Sequence, residues 1–106
     1  MQENLFALID EKTGATNLGS FATLSALESA ISSVVLSMDT ASIKPVYFST
    51  SATFAPFTSS GGFSAFIQSR IAGRNIGLVT IWNQLGFMVY GFNNNGTYTW
   101  KKPTLT

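Results

Sequence analysis

Histidine and cysteine are both missing from this chain of 106 residues. Without histidine there is no Ser-His-Asp or Cys-His nucleophile, and the commonest general base and transition-metal ligand is gone. Without cysteine there is no disulfide, no thiolate chemistry and no cysteine metal site, so either redox compartment suits the chain. Charge is scarce as well: charged residues make up 10% of the sequence, against about 25% in a typical soluble domain. The five acids, Glu3, Asp10, Glu11, Glu28 and Asp39, all fall in the first 39 residues, with only Lys12 opposing them there. Lys44, Arg70, Arg74, Lys101 and Lys102 follow with no acid among them. Glycoside hydrolysis needs two carboxyl groups flanking a bond, and the aromatic half of the chain has none. No calcium loop, P-loop or dinucleotide fingerprint is present; Gly61-Gly62 precedes a strand, so no helix N-terminus waits there for phosphate. The expectation is a protein that is not an enzyme and uses no cofactor or metal.

Apolar residues are plentiful instead, at 45% of the chain, and mean hydropathy is +0.24. Ser, Thr, Asn and Gly must cover much of the surface. Weakly charged, apolar surface tends to associate, which favours a homo-oligomer. A net charge of +1 gives no global field to draw in nucleic acid or an anionic membrane. The start, Met1-Gln2-Glu3-Asn4, lacks the basic and apolar regions of a signal peptide. Ile76 to Phe92 is nearly continuous apolar sequence, but Asn83-Gln84 and three glycines punctuate it. Two strands and a turn explain it better than a membrane span, so no membrane insertion is expected.

The length fits one domain over residues 1–106. Leu5 to Ile9 reads as a strand or extended arm, ended by a polar turn at Asp10 to Gly14, with Asn17-Leu18-Gly19 continuing the connection. Ser20 offers an N-cap for one amphipathic helix over about residues 20–38, and Ser25 with Glu28 offers a competing capping box. Leu24, Leu27, Ile31, Val34 and Met38 recur at 3-4-3-4 spacing. That stripe packs on the chain's own sheet or forms a seam between subunits of an oligomer. After Asp39, β-branched and aromatic residues take over. Short strands are expected at Ile43 to Ser49, Phe63 to Ile71, Ile76 to Trp82, Phe87 to Phe92 and Thr97 to Lys101. Thr53 to Phe57 reads as a short extended piece broken by Pro56. The fold class is α+β: an arm and helix (1–40), then an antiparallel β-meander of four to six strands (41–106).

The last strands form an aromatic hairpin around Asn93-Asn94-Asn95-Gly96, where Asn95-Gly96 supplies the positive φ angles of a tight turn. With a two- or four-residue loop, Tyr98 and Trp100 share a face with Phe87, Val89 and Gly91, and Trp100 lies over Gly91. Met88, Tyr90, Phe92, Thr97 and Thr99 take the other face; a three-residue loop reverses the pairing. One face would meet the helix and the other a second subunit or a ligand. Core packing is the plainer reading of each aromatic. Flat rings with amide neighbours also suit sugars. The candidate ligand-binding residues are Trp82, Arg70, Asn93, Asn94 and Asn95. An aromatic sheet with Arg70, Arg74, Lys101 and Lys102 is also compatible with single-stranded nucleic acid, although few cations and no RNP-type motif make nucleic acid a poor fit.

Gln68-Ser69-Arg70 in one strand, Trp82-Asn83-Gln84 in the next, then Gly-aromatic strands and a terminal Asn95-Gly96-Thr97-Tyr98-Thr99-Trp100 form a pattern. Over roughly Gly61 to Lys102 it resembles the C-terminal knob of bacteriophage tail fibres and related bacteriocin fibres. The family usually carries an Arg in the penultimate strand, where this sequence has Tyr90-Gly91-Phe92. The resemblance implies a homotrimeric receptor-binding tip on the virion surface, attaching to bacterial surface glycan or protein. Residues 1–40 would then be stem-proximal or a cut point in a longer fibre. A purely structural virion component without a receptor is the other reading within the same class.

Overall fold

The computed structural model describes residues 15–58 and 60–102. Strand β1 (Thr16–Phe21) leads into helix α1 (Leu24–Leu36), followed by β2 (Ile43–Thr50), β3 (Gly61–Ser69), β4 (Ile76–Trp82), β5 (Met88–Asn94) and β6 (Thr97–Lys101). Among the described residues these six strands form one sheet in the order β1-β2-β3-β4-β5-β6. The class is α+β, and β2 to β6 are the antiparallel meander that the turn spacing predicts. The proposed Leu5 to Ile9 arm lies outside the described residues.

The sheet is mixed, which corrects the purely antiparallel expectation. Thr16–Phe21 is a strand that runs parallel to β2, with α1 as the crossover between them. Parallel neighbours need such a crossover of a dozen or more residues. Asn17-Leu18-Gly19 reads as a connection because Asn and Gly punctuate it. Here they form a strand irregularity instead. The register shifts between Asn17 and Ser20, Gly19 takes φ +104, and its N–H donates to Asn17 Oδ1 at 2.9 Å. Residues 16–21 therefore belong to the sheet, across the division set at residue 40.

Helix α1 also starts later and ends earlier than 20–38. Ser20 is held in β1, and Thr23 is the N-cap, with an extended backbone and a side chain that accepts from the Ala26 N–H at 3.3 Å. This satisfies one of the free donors at the helix start. At the far end the Ser37 hydroxyl donates to the Val34 carbonyl at 2.7 Å. The most deeply buried helix row is Leu27, Ile31 and Val35, spaced by four. Each such burial contributes about 1.5–3 kcal/mol. Leu24 and Val34 flank that row half-buried, and Met38 is buried just beyond the helix. The whole predicted stripe thus packs on the chain's own core.

The core lies between α1 and one face of the sheet, where Val46, Phe48, Phe63, Ala65, Ile67, Val79, Ile81 and Val89 point. The β2–β3 loop adds Phe57, 1% exposed. A tight turn sets it there, with Phe54 and Phe57 exchanging backbone hydrogen bonds of 3.1 and 2.6 Å. The Phe57 ring lies 5.2–6.0 Å from the rings of Phe48, Phe54, Phe63, Phe87 and Trp100. Phe57 is therefore a plug in the core, carried on a turn whose Thr53 and Ala55 are exposed; alternation does not reveal it because the one buried ring follows Pro56.

The terminal hairpin has a two-residue loop. Asn94 pairs with Thr97, and Asn95 (φ +59) and Gly96 (φ +93) make the turn. Gly91 faces Trp100 in the register, as the two-residue option requires. The Trp100 Nε1–H donates to Glu28 Oε2 at 2.8 Å, and the Tyr98 hydroxyl pairs with Ser32 Oγ at 2.8 Å. The last strand is thereby fastened to the helix.

Candidate functional site

A strand shows its side chains alternately to the two sides of its sheet. One side here is covered by α1 and the Phe57 loop. The other carries nothing from the described residues, yet it is apolar. Its exposed large side chains are Ile43 on β2, Phe66 on β3, Leu78 and Trp82 on β4, and Met88, Tyr90 and Phe92 on β5. The register makes them neighbours. Ile43, Gln68, Leu78, Phe92 and Thr99 form one row across the sheet. Pro45, Phe66, Thr80, Tyr90 and Lys101 form the next, and Tyr47, Ser64, Trp82 and Met88 the third. Two adjoining depressions indent this surface. One, about 380 Å³, is walled by Ile43, Phe66, Gln68, Leu78 and Thr80. The other, about 310 Å³, is bounded by Gln68, Arg70, Ile76, Leu78 and Phe92 among others.

The electrostatics of this face are simple. Among the described residues no carboxylate lies on it: they contain no acid after Asp39, and Glu28 is engaged on the covered side by Trp100. Its cations are at the margins. Arg70 follows the end of β3, and Lys101 ends the edge strand β6. Toward the centre the hydrogen-bonding side chains include Gln68, Thr80 and the Tyr90 hydroxyl.

The five predicted ligand-binding residues do not gather at one place. Trp82 is 43% exposed at one end of β4. Arg70 and Asn94 sit near Ile76 at the other end, about 20 Å away along the strand at 3.3 Å per residue. Asn95 is exposed in the turn. Asn93 is the exception and a correction. It is 1% exposed and points into the covered side, where its Nδ2 donates to Asn75 Oδ1 at 2.6 Å and its Oδ1 accepts from the Gly96 N–H at 2.8 Å. Asn75 in turn donates to Ser32 Oγ at 3.1 Å. Asn93 is a structural brace, because a two-residue turn leaves it inside β5 with inward parity. Asn83, from the Trp-Asn-Gln triplet, is likewise structural. Its Oδ1 accepts from the Leu85 and Phe87 N–H groups at 3.0 and 3.1 Å and shapes the β4–β5 turn.

Parity in the hairpin points to Met88, Tyr90 and Phe92 as one face, and the β3 alternation sets Phe66 beside Gln68 and Arg70. Ile43 and Leu78 were missed as members of the same surface. Each stands in a run of apolar residues, and only the register across four strands brings them together.

Burial lifts the Tyr98 hydroxyl to about 12; its hydrogen bond with Ser32 opposes the rise and the Glu28 carboxylate adds to it. This phenol is a neutral hydrogen-bonding strut. The described residues hold no cluster of three or more side chains of the metal-ligating types His, Cys, Asp and Glu, and no helix among them is long and apolar enough to cross a membrane. No family model matches the chain, and no curated protein or solved structure matches it.

Proposed function

We propose that this chain is a non-enzymatic tip module of a phage-like particle, carried as a homotrimer on the virion surface, that attaches to a bacterial surface glycan or protein or completes the particle structurally. The observation that carries the reading is the two-sidedness of the sheet. One face is sealed by the helix and Phe57, and the other is an apolar surface of seven large exposed side chains with no acid among the described residues. A monomer rarely leaves more than about 300–600 Å² of contiguous apolar surface in water, so such a face serves contact. The tail-fibre-like pattern from Gly61 to Lys102 supports the choice of particle. The margins support attachment. Trp82 at one end offers a ring for stacking, and Arg70, Asn94 and Asn95 at the other offer donors for sugar hydroxyls.

Light scattering over a wide concentration range tests self-association, and a strict monomer refutes the trimer. Adsorption to bacterial cells and a glycan array then separate attachment from a structural role. Signal that Trp82→Ala and Arg70→Ala abolish supports attachment, and a blank array with no adsorption supports the structural role. The aromatic face flanked by Arg70 and Lys101 favours one second reading, binding of single-stranded nucleic acid. A salt-dependent mobility shift on single-stranded DNA or RNA with a monomeric protein would establish it in place of the first.

A further inference from the structure

We infer that the uncovered face of the sheet is the surface through which copies of this chain pack against one another, like face to like face, while the helix takes no part in the contact. The inference rests on the self-association proposed above and specifies where it occurs.

Area is the first argument. Apart from Trp82 at its end, Ile43, Phe66, Leu78, Met88, Tyr90 and Phe92 remain 36–61% exposed. At ~200 Å² per large side chain, they leave roughly 570 Å² of apolar surface on one face. A stable interface takes about 800 Å² from each partner. The polar side chains interspersed in the same rows, Gln68, Thr80 and Thr99 among them, bring the face to that size.

Charge is the second. Packing this face on copies of itself gathers the charges of its centre near the symmetry axis, so it tolerates an apolar centre and disfavours a charged one. This centre has no charge, and Arg70 and Lys101 lie at the margins, where they stay in water. A polyanion would need the reverse, with cations spread among the rings to meet successive phosphates.

Shape is the third. The large side chains stand on the four neighbouring strands β2 to β5, a band about 19 Å wide at ~4.8 Å per strand. Three such bands closed into a triangle put each sheet ~5–6 Å from the axis, half the ~10 Å spacing of sheets packed face to face. Side chains from three copies then meet without leaving a channel. The helix offers no comparable surface. Its stripe is used within the protomer, and its outward positions include Ser25, Ala26, Ser29 and Ser33.

The test compares the full chain with Phe66→Lys/Phe92→Lys and with the control Ser29→Lys/Ser33→Lys on the outer side of the helix. Light scattering reads the mass, and circular dichroism and thermal melting check folding. Two central charges should weaken assembly roughly a hundredfold or more, with the control unaffected. Assembly that survives in the face variant but fails in the helix control overturns the inference and leaves self-association standing. A folded wild-type monomer at every concentration overturns both, as does a monomer that shifts on single-stranded nucleic acid.

A second measurement holds if the charged variant does not fold. The chain has no cysteine, so Thr80→Cys gives one spin-label site at the centre of the face. Labels on neighbouring copies should lie close, with backbones ~10 Å apart. Labels at Ser29→Cys should lie beyond ~30 Å, because each copy interposes its sheet and helix layers. Short distances at Ser29 with long ones at Thr80 overturn the inference.

Discussion

Replacing Gly91 with alanine should destabilise the protein strongly, although one methyl group in a strand is normally an improvement. Gly91 has no unusual φ, so the substitution brings no backbone strain. In an ordinary strand position the change would stabilise by about 0.5–1 kcal/mol. Here the new Cβ would lie 2.7, 2.8 and 3.0 Å from three atoms of the Trp100 ring. The ring must retreat by most of an ångström, and it has nowhere to go. It is stacked on Tyr98 at 5.7 Å, meets Phe57 edge-on at 5.8 Å, and is tied to Glu28 through its Nε1–H at 2.8 Å. Overpacking of this kind costs about 1–3 kcal/mol. Losing a hydrogen bond to a charged group costs about 1.5–3 kcal/mol more if the ring swings away. Against the small backbone gain, the net should be about 2–4 kcal/mol. At roughly 4–8 °C per kcal/mol, this is a fall of about 8–32 °C in Tm. Chemical denaturation followed by tryptophan fluorescence reads the loss, and the spectrum of Trp100 should shift with it. The decisive comparison is a double-mutant cycle with Trp100→Ala, in which the added methyl should cost little or nothing and the coupling should exceed about 1.5 kcal/mol. A Gly91→Ala protein as stable as the parent, or a cycle with no coupling, would refute the claim that Trp100 is pinned over this residue.

The remaining predictions concern the braces around the core. Asn93→Ala removes a buried bridge between the turn and Asn75, and should cost about 2–3 kcal/mol in urea unfolding; Asn94→Ala, exposed on the same strand, is the near-neutral comparison. Thr23→Ala should cost about 0.5–2 kcal/mol through loss of the helix cap, and Thr23→Ser should restore it; equal stability of all three would discard the cap. Tyr98 ionises at about 12 in the folded chain, against about 10 when unfolded, so its neutral form favours the fold below pH 10. That contribution fades as the pH rises from 10 through 12, because the unfolded chain releases the proton first. An absorbance titration of the folded protein should lose its component near pH 12 in Tyr98→Phe, and an unchanged titration would remove Tyr98 from that role.

The parts of the fold legible in the sequence are those that depend on local spacing. The helix stripe from Leu24 to Met38, the β-strand succession after Asp39 and the pairing of Trp100 with Gly91 follow from periodicity and the length of one turn. What stayed hidden depends on partners distant in sequence. Strand β1 looks like a connection because its Asn and Gly were judged by their turn chemistry, and only β2 alongside converts them into a bulge. Ser20 is as good a cap as Thr23 until β1 claims it. Asn93 resembles its two neighbours in the run, and a shift of one residue in strand parity separates a buried brace from an exposed amide. The candidate face shows the same limit. Alternation assigns Phe66, Met88, Tyr90 and Phe92 to their sides, but nothing local joins Ile43 to Leu78 or separates Arg70 from Trp82 by the length of a strand.

The hydrogen bonds from Trp100 to Glu28 and between Tyr98 and Ser32 join residues 72 and 66 positions apart. They impose an order on the birth of the protein. At a synthesis rate of about 5–20 residues per second, the helix emerges several seconds before the strand that fastens it. During that interval the helix lacks its fastening to the last strand, and apolar surface of the growing sheet is exposed. A ribosome-associated chaperone, or prompt pairing between sister chains, would find its substrate in that interval.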